Sequence, residues 1–250
     1  MEYQPLLECL SADFSRLRQL ASSVAPTTPV PSCPGWTVDD LVRHVAEVYL
    51  HKTECIRQGT FPRPWPLDLS AEPALDLLDR SYAALTGEFA TRSPRSPAAT
   101  WYEPEQTVGF WIRRMAQETV IHRVDAELAA REPIGPISED LAVDGIDEVL
   151  ERFLLYGSHR WAEEFKPSLP DNDLPPVLVA TDGYGWLVRA TPQGVSIEVA
   201  TPRADAPATV SGDPVPLLLW LWRRRPDGVE IEGDRALIDK LRALLHDATQ

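Results

Sequence analysis

Two histidines and one glutamate are the residues of this chain whose types and spacing could bind a metal ion. Glu118 and His122 are four residues apart, so a helix would place both side chains on one face, one turn from each other. His44 lies in an earlier segment, close to an apolar stripe that includes Leu41 and Val45. Two imidazoles and one carboxylate are the ligands expected of a catalytic zinc site with one position open for water or a thiolate. The sequence therefore predicts that His44, Glu118 and His122 bind one divalent ion inside a helical bundle.

Each member of this set also has a simpler interpretation when it is taken alone. Glu118 and His122 could form a hydrogen bond on a solvated helix face, and His44 beside an apolar stripe could be a core histidine with satisfied ring nitrogens. Asp125, three residues after His122, could accept the second ring proton of that histidine or belong to a structural ion pair.

Other residues near the set have the same two interpretations. Cys33 could be a fourth ligand, although packing of a small side chain explains it more simply, and His51 lies seven residues after His44 on nearly the same helical face. Tyr49 and Trp111 could line a pocket, with core packing as the default.

Helices must position these residues, and the first part of the chain has the pattern of helices joined by proline-rich loops. Thr37 followed by Asp40 has the spacing of a capping box. Apolar residues at three- and four-residue spacing predict five helices, at about residues 6–20, 38–57, 75–89, 108–130 and 138–161.

The pattern changes after Pro170. Short β-branched segments at residues 177–180, 185–190 and 195–200, separated by turn residues, predict an antiparallel meander. A short helix at about 217–224, a strand at 228–231 and a closing helix at 235–245 follow. We therefore predict an α+β protein with an up-down four-helix bundle and a connecting helix over residues 1–166, and a small α+β domain with an antiparallel sheet over residues 167–250.

Composition excludes several classes of protein. The 250 residues carry a net charge of −14, which disfavours a nucleic-acid partner, and the longest apolar run, 214–222, is too short to span a membrane. Three cysteines without close pairing and no leader-like N-terminus predict a reducing, cytoplasmic location. Only three of the 24 basic residues are lysines, and this arginine-rich composition is typical of a high-GC bacterium.

Three consecutive arginines follow the short helix predicted at 217–224. Arg223 and Arg224 are candidate catalytic residues that could bind a substrate carboxylate through the fork of the guanidinium. A solvated helix end near the negative end of its dipole is the simpler interpretation.

Two motifs resemble a known family. Residues 30–44 (VPSCPGWTVDDLVRH) and 113–127 (RRMAQETVIHRVDAE) are similar to segments of the mycothiol-dependent maleylpyruvate isomerase family, which belongs to the wider DinB-like metal-binding four-helix bundles. Residues 217–224 and 229–234 resemble, more loosely, the small C-terminal domain of that family. Gln117 departs from the pattern, because many relatives have histidine before the glutamate.

The resemblance implies His44, Glu118 and His122 as ligands of a divalent ion, usually zinc, and mycothiol, an actinobacterial thiol, as cosubstrate. We therefore predict a metal- and mycothiol-dependent S-transferase or isomerase that acts on a small electrophile, with the metal holding the thiol as thiolate. Two alternatives stay open, a hydrolase that uses metal-bound water and a non-catalytic metal- or ligand-binding protein of the same fold.

Overall fold

The structure, a computed structural model, describes residues 1–225 and 227–249 and divides into two compact units, Met1–Pro136 and Ile137–Gln250. The sequence placed this division at residue 166, after the fifth helix. The structure places it earlier because helix α5 (Glu139–Glu148) packs against α8 (Pro214–Leu221) of the second unit. The predicted fold class, a helical bundle followed by a small α+β domain, is confirmed.

The first unit consists of four long helices. They are α1 (Tyr3–Ser23), α2 (Val38–Gln58), α3 (Ala74–Thr91) and α4 (Val108–Ala130). Helix α2 begins with the predicted capping box, in which Thr37 accepts from the Asp40 amide and the Asp40 carboxylate accepts from the Thr37 amide. It ends at Gly59, whose φ of 65° is the left-handed conformation that glycine adopts at little cost.

Contacts between the helices show in which direction each helix runs relative to the others. Asp13 pairs with Arg123 and Arg16 with Glu127, so α1 and α4 run in the same direction. Arg18 pairs with Asp79 while Phe14, earlier on α1, stacks on Tyr82, so α3 runs opposite to α1.

Helix α2 runs the same way as α3. Val42 and Ala74 line one cavity, and Arg57 pairs with Glu88 further along both helices. The four helices therefore run up, down, down and up, whereas the sequence predicted helices that alternate up and down. Because α2 and α3 are parallel, their connection, residues 59–73, must return along the length of the bundle.

Helix α4 is buried along most of its length, including several charged side chains. Arg123 illustrates how these charges are compensated, because its guanidinium lies 2.8 Å from Asp13 Oδ1 and donates to both carboxylate oxygens of Glu127, at 3.0 and 2.8 Å. A buried charge without such a partner would carry a large desolvation cost.

The second unit contains short helices around a five-stranded sheet. After α5, a π-helical segment (Val149–Tyr156) continues into α6 (Gly157–Arg160), followed by α7 (Ala162–Phe165), so the predicted fifth helix exists with a π-helical middle. Helix α9 (Arg235–Ala248) ends the unit.

The sheet has the strand order β3-β2-β1-β4-β5. The strands are β1 (Val177–Ala180), β2 (Gly185–Thr191), β3 (Gly194–Ala200), β4 (Ala208–Ser211) and β5 (Glu230–Gly233). The first three form the predicted antiparallel meander, and β4 and β5 are also antiparallel. Strand β4, which the sequence analysis missed, pairs parallel with β1, so the sheet is mixed where an antiparallel one was predicted.

None of the helices in the described part of the chain combines the length and the apolar character needed to cross a membrane.

Candidate metal centre

The three predicted ligands converge on one point between α2 and α4. The Nε2 atoms of His44 and His122 lie 3.1 and 3.2 Å from the same carboxylate oxygen, Glu118 Oε1. One ligand atom from each residue lies within 4.8 Å of the others, close enough for a single cation to contact all three. The structure thus brings together residues separated by more than seventy positions in the chain.

The helices explain why these side chains meet. The four-residue spacing of Glu118 and His122 places them on one face of α4, and α2 crosses that face in the opposite direction. The exposed fraction of the side chain is 37% for His44 but only 12% for Glu118, so the site opens towards solvent on the His44 side.

Asp125 fixes the orientation of His122. The buried Asp125 Oδ2 lies 2.9 Å from His122 Nδ1, and Ser32 Oγ donates to Asp125 Oδ1 at 2.5 Å. A carboxylate at Nδ1 holds a proton on that nitrogen and leaves the lone pair of Nε2 available to a cation. The contact that the sequence analysis considered for Asp125 is therefore present.

The electrostatics of the site favour an ionised carboxylate next to protonated imidazole. Burial raises the pKa of Glu118, but the charges of Arg114 and His122 and the hydrogen bonds from both histidines hold it well below its usual value. Burial lowers the pKa of His122, but Glu118 and Asp125 outweigh it and raise that pKa to about 9. A divalent ion would take the place of this proton in compensating the carboxylates.

The donor set therefore fits a divalent cation. Two Nε2 atoms and a carboxylate oxygen converge, and Asp125 supports one imidazole from behind. Cys33 is not a member of this cluster in the described part of the chain, since its Sγ lies 3.5 Å from Asp125 Oδ2. His51 also lies outside the cluster and contacts Lys52 and Cys55.

Two cationic residues beside the ligands were missed by the sequence analysis. Arg114, only 5% exposed, pairs with the second oxygen of Glu118, and the Lys52 ammonium lies 5.0 Å from the ring centre of Trp111. The spacing contained a signal for Arg114, which is four residues before Glu118 on the same helical face.

The arginines at the end of α8 belong to the second unit. Arg223 donates to His246 Nδ1 at 2.6 Å and has the left-handed φ of 60°, which is uncommon outside glycine. Arg224 donates to the Trp222 carbonyl at 2.8 Å, and Arg225 pairs with Asp227. The catalytic role predicted for Arg223 and Arg224 stays a prediction.

Fold and site together define a helical-bundle protein in which two histidines and one glutamate converge as a candidate cation site. Two protein-family models match the chain. The mycothiol maleylpyruvate isomerase N-terminal domain matches residues 7–127, which contain the complete ligand set, and the corresponding C-terminal domain matches residues 140–240. The chain belongs to the mycothiol maleylpyruvate isomerase family.

Solved structures share the fold at low sequence identity. The mycothiol-dependent maleylpyruvate isomerase is 18% identical, with a TM-score of 0.62 over 94% of this chain and 95% of that chain. A histidine-to-alanine variant of it matches at 17% identity and a TM-score of 0.61, with the same coverage. No curated protein matches the chain.

Proposed function

We propose that the protein is a metal-dependent and mycothiol-dependent isomerase or S-transferase that acts on a small electrophile. The observation that carries this proposal is the convergence of His44, Glu118 and His122 inside a domain of the mycothiol maleylpyruvate isomerase family. The structures that resemble the chain are of a mycothiol-dependent enzyme, which supports the same thiol as cosubstrate.

His44, Glu118 and His122 would hold the cation, which we propose to be zinc because nitrogen and carboxylate ligands of this kind suit it. A divalent ion with an open position lowers the pKa of a thiol that binds to it, so that the nucleophilic thiolate exists near neutral pH.

The protein's own residues would prepare the site for this step. Asp125 keeps a proton on Nδ1 of His122, and Arg114 binds the oxygen of Glu118 that faces away from the histidines. Both contacts hold the donor atoms in place before a ligand arrives, which reduces the reorganisation that binding requires.

The reaction that follows is an addition to an activated double bond. The thiolate sulfur forms a C–S bond with the electron-poor carbon, and the electron pair of the double bond moves to the neighbouring carbon and its electron-withdrawing group. In an isomerase, rotation about the new single bond is followed by breakage of the C–S bond, which restores the double bond and releases the thiolate. In a transferase, the neighbouring carbon takes a proton and the C–S bond stays.

We also propose that Arg223 and Arg224 bind an anionic group of the substrate.

Element analysis and thiol-dependent turnover test the proposal. We expect about one equivalent of zinc in the wild type, little in His122→Ala, and wild-type content in the control His159→Ala, whose ring contacts the Val195 carbonyl within the second unit. Turnover of unsaturated electrophiles should require mycothiol and should be lost in His122→Ala.

Three outcomes would contradict it. Equal and negligible metal in all three proteins would refute the metal site. Hydrolysis of substrates without a thiol would support the hydrolase instead. Mycothiol binding without any turnover would support a non-catalytic binding protein.

A further inference from the structure

The two histidines of the candidate metal centre are held in different ways. Nδ1 of His122 faces the buried carboxylate of Asp125 at 2.9 Å. His44 has no such carboxylate, since its ring hydrogen bond in the described part of the chain is the contact of Nε2 with Glu118 Oε1. A metal-binding imidazole needs support to keep its orientation. For His44, whose side chain is 37% exposed, this support has to come from a contact of another kind.

The indole of Trp36 lies beside both imidazoles. Its ring centre is 4.8 Å from that of His44, at an interplanar angle of 52°, and 6.4 Å from that of His122, at 23°. The two imidazole ring centres are 4.9 Å apart, so the three rings form one cluster. Aromatic rings at such distances attract each other through offset and edge-to-face contacts. Trp36 therefore limits the rotation of the His44 ring.

The loop before α2 fixes the position of this indole. Within the loop, the Val30 amide donates to the Trp36 carbonyl at 2.9 Å. The loop is also attached to α4, since Ser32 Oγ donates to Asp125 Oδ1 at 2.5 Å. The carboxylate that orients His122 thus also anchors the loop that places Trp36.

Core packing does not account for Trp36. The largest side chains of the core, Trp111 and Trp220, are almost completely buried, whereas Trp36 is only partly buried. The aromatic rings that it contacts among the described residues are those of His44 and His122. An apolar ring beside a cation site restricts the access of water to it.

We propose that Trp36 is a positioning residue of the candidate centre, which holds the ring of His44 and keeps additional water away from the cation. This inference rests on the proposed function for the presence of the cation. Three protein ligands and one open position are typical of a catalytic zinc site. By excluding further water molecules, the indole would preserve that arrangement and leave a single position for the thiol.

Cobalt substitution tests the inference without turnover, because Co²⁺ absorbs visible light strongly in a four-coordinate site and weakly in a six-coordinate one. We expect strong absorption in the cobalt-saturated wild type and in Trp36→Phe, which keeps an aromatic ring, and a loss of about threefold or more in Trp36→Ala. The matched control is Trp65→Ala. Trp65 is also partly buried, and its ring centre also lies 4.8 Å from that of a histidine, His51, which is outside the ligand set. Equal absorption in all these proteins would overturn the inference.

Zinc affinity measures the support of His44 separately. In competition with a chelator, Trp36→Ala should bind zinc about three- to tenfold more weakly than the wild type, the effect expected from the loss of one aromatic contact. Trp36→Phe and Trp65→Ala should stay within about twofold of the wild type. Unchanged zinc affinity in Trp36→Ala would equally overturn the inference.

A measurement on the unaltered sequence covers the case in which Trp36→Ala does not fold. The chain has eight tryptophans, so labelling with fluorotryptophan gives eight ¹⁹F signals, of which Trp36→Phe and Trp65→Phe assign two. Zinc should shift the Trp36 signal and leave the Trp65 signal in place. A Trp36 signal that does not respond to zinc would refute the inference.

The results separate this inference from the proposed function. A wild-type protein that binds neither cobalt nor zinc would refute both. If the cobalt spectra change as expected in a protein without thiol-dependent turnover, the role of Trp36 stands and the proposed function is refuted. If Trp36→Ala keeps the wild-type spectrum and zinc affinity in a protein with thiol-dependent turnover, the role of Trp36 alone is refuted.

Discussion

Replacing Asp125 with asparagine tests how the candidate metal centre orients His122. Asparagine keeps the shape of the side chain and the oxygen that accepts from Ser32 Oγ, so the fold should survive. The amide nitrogen, however, would face His122 Nδ1 in place of the carboxylate oxygen that now lies 2.9 Å away. An amide donates to a bare Nδ1, which moves the imidazole proton to Nε2, the nitrogen that points at Glu118 Oε1.

We expect Asp125→Asn to weaken zinc binding about 10- to 100-fold, which is the usual effect of removing such a supporting carboxylate. This corresponds to about 1.4–2.8 kcal/mol of binding free energy. Competition with a chromophoric chelator at pH 7.5 measures the affinity, and thermal unfolding of the metal-free proteins checks that the fold is retained.

The control is Asp79→Asn, which removes a carboxylate that pairs with Arg18 on the exposed side of the bundle. It should bind zinc like the wild type. If Asp125→Asn also binds zinc like the wild type while His122→Ala does not, the tautomer argument is refuted.

Three further predictions concern the same helices. Because a cation must displace the proton of His122, zinc affinity should rise up to about tenfold per pH unit below the pKa of about 9 and level off above it; an affinity independent of pH between 6.5 and 8.5 would contradict this. The ¹³Cε signal of Lys52 in the metal-free protein should titrate with a midpoint near pH 8, since burial lowers its pKa to about that value, and a midpoint near 10.5 would show that the ammonium is well solvated. Tyr49→Phe should lower the free energy of unfolding, measured in urea titrations, by about 1 kcal/mol, because it removes a buried hydrogen bond of 2.5 Å from the Tyr49 hydroxyl to Thr119 Oγ1. Thr119 Oγ1 is the acceptor in this bond because its own proton is donated to the Met115 carbonyl. An unchanged urea midpoint would mean that this bond contributes nothing to stability.

The convergence of the three candidate ligands could be predicted from the sequence because its evidence is largely local. Glu118, His122 and Asp125 share one helical face at spacings that any helix enforces, and the capping box at Thr37 marks the start of the helix that carries His44. Donor chemistry then indicates which of several histidines belong together.

Lys52 shows what such reasoning cannot supply. The sequence around a lysine in a helix does not show whether the side chain lies on the surface or beside a buried ring. Only the packing of α2 on α4 places Lys52 against Trp111. The direction of α2 relative to α4 is a tertiary property that the periodicity of neither helix contains.

The misplaced boundary and the missed strand have a related cause. The predicted fifth helix was assigned to the bundle because it is helical, but its partner, α8, lies more than sixty residues later in the chain. Strand β4 has four residues within a stretch rich in proline, alanine and aspartate, and its parallel pairing with β1 is a long-range contact without a local signal.

The parallel course of α2 and α3 has a consequence for how this family can diversify. A strictly alternating bundle needs only short turns, whereas here residues 59–73 must travel back along the helices. On the way, Phe61 and Trp65 of this segment come within 6.0 and 4.8 Å of His51, measured between ring centres, and His51 in turn contacts Lys52. Insertions, deletions and exchanges in this segment can reshape the surroundings of Lys52 without moving a helix or a candidate metal ligand. The topology thus separates the helices that carry the candidate ligands from a connection that can change its sequence and length without altering them.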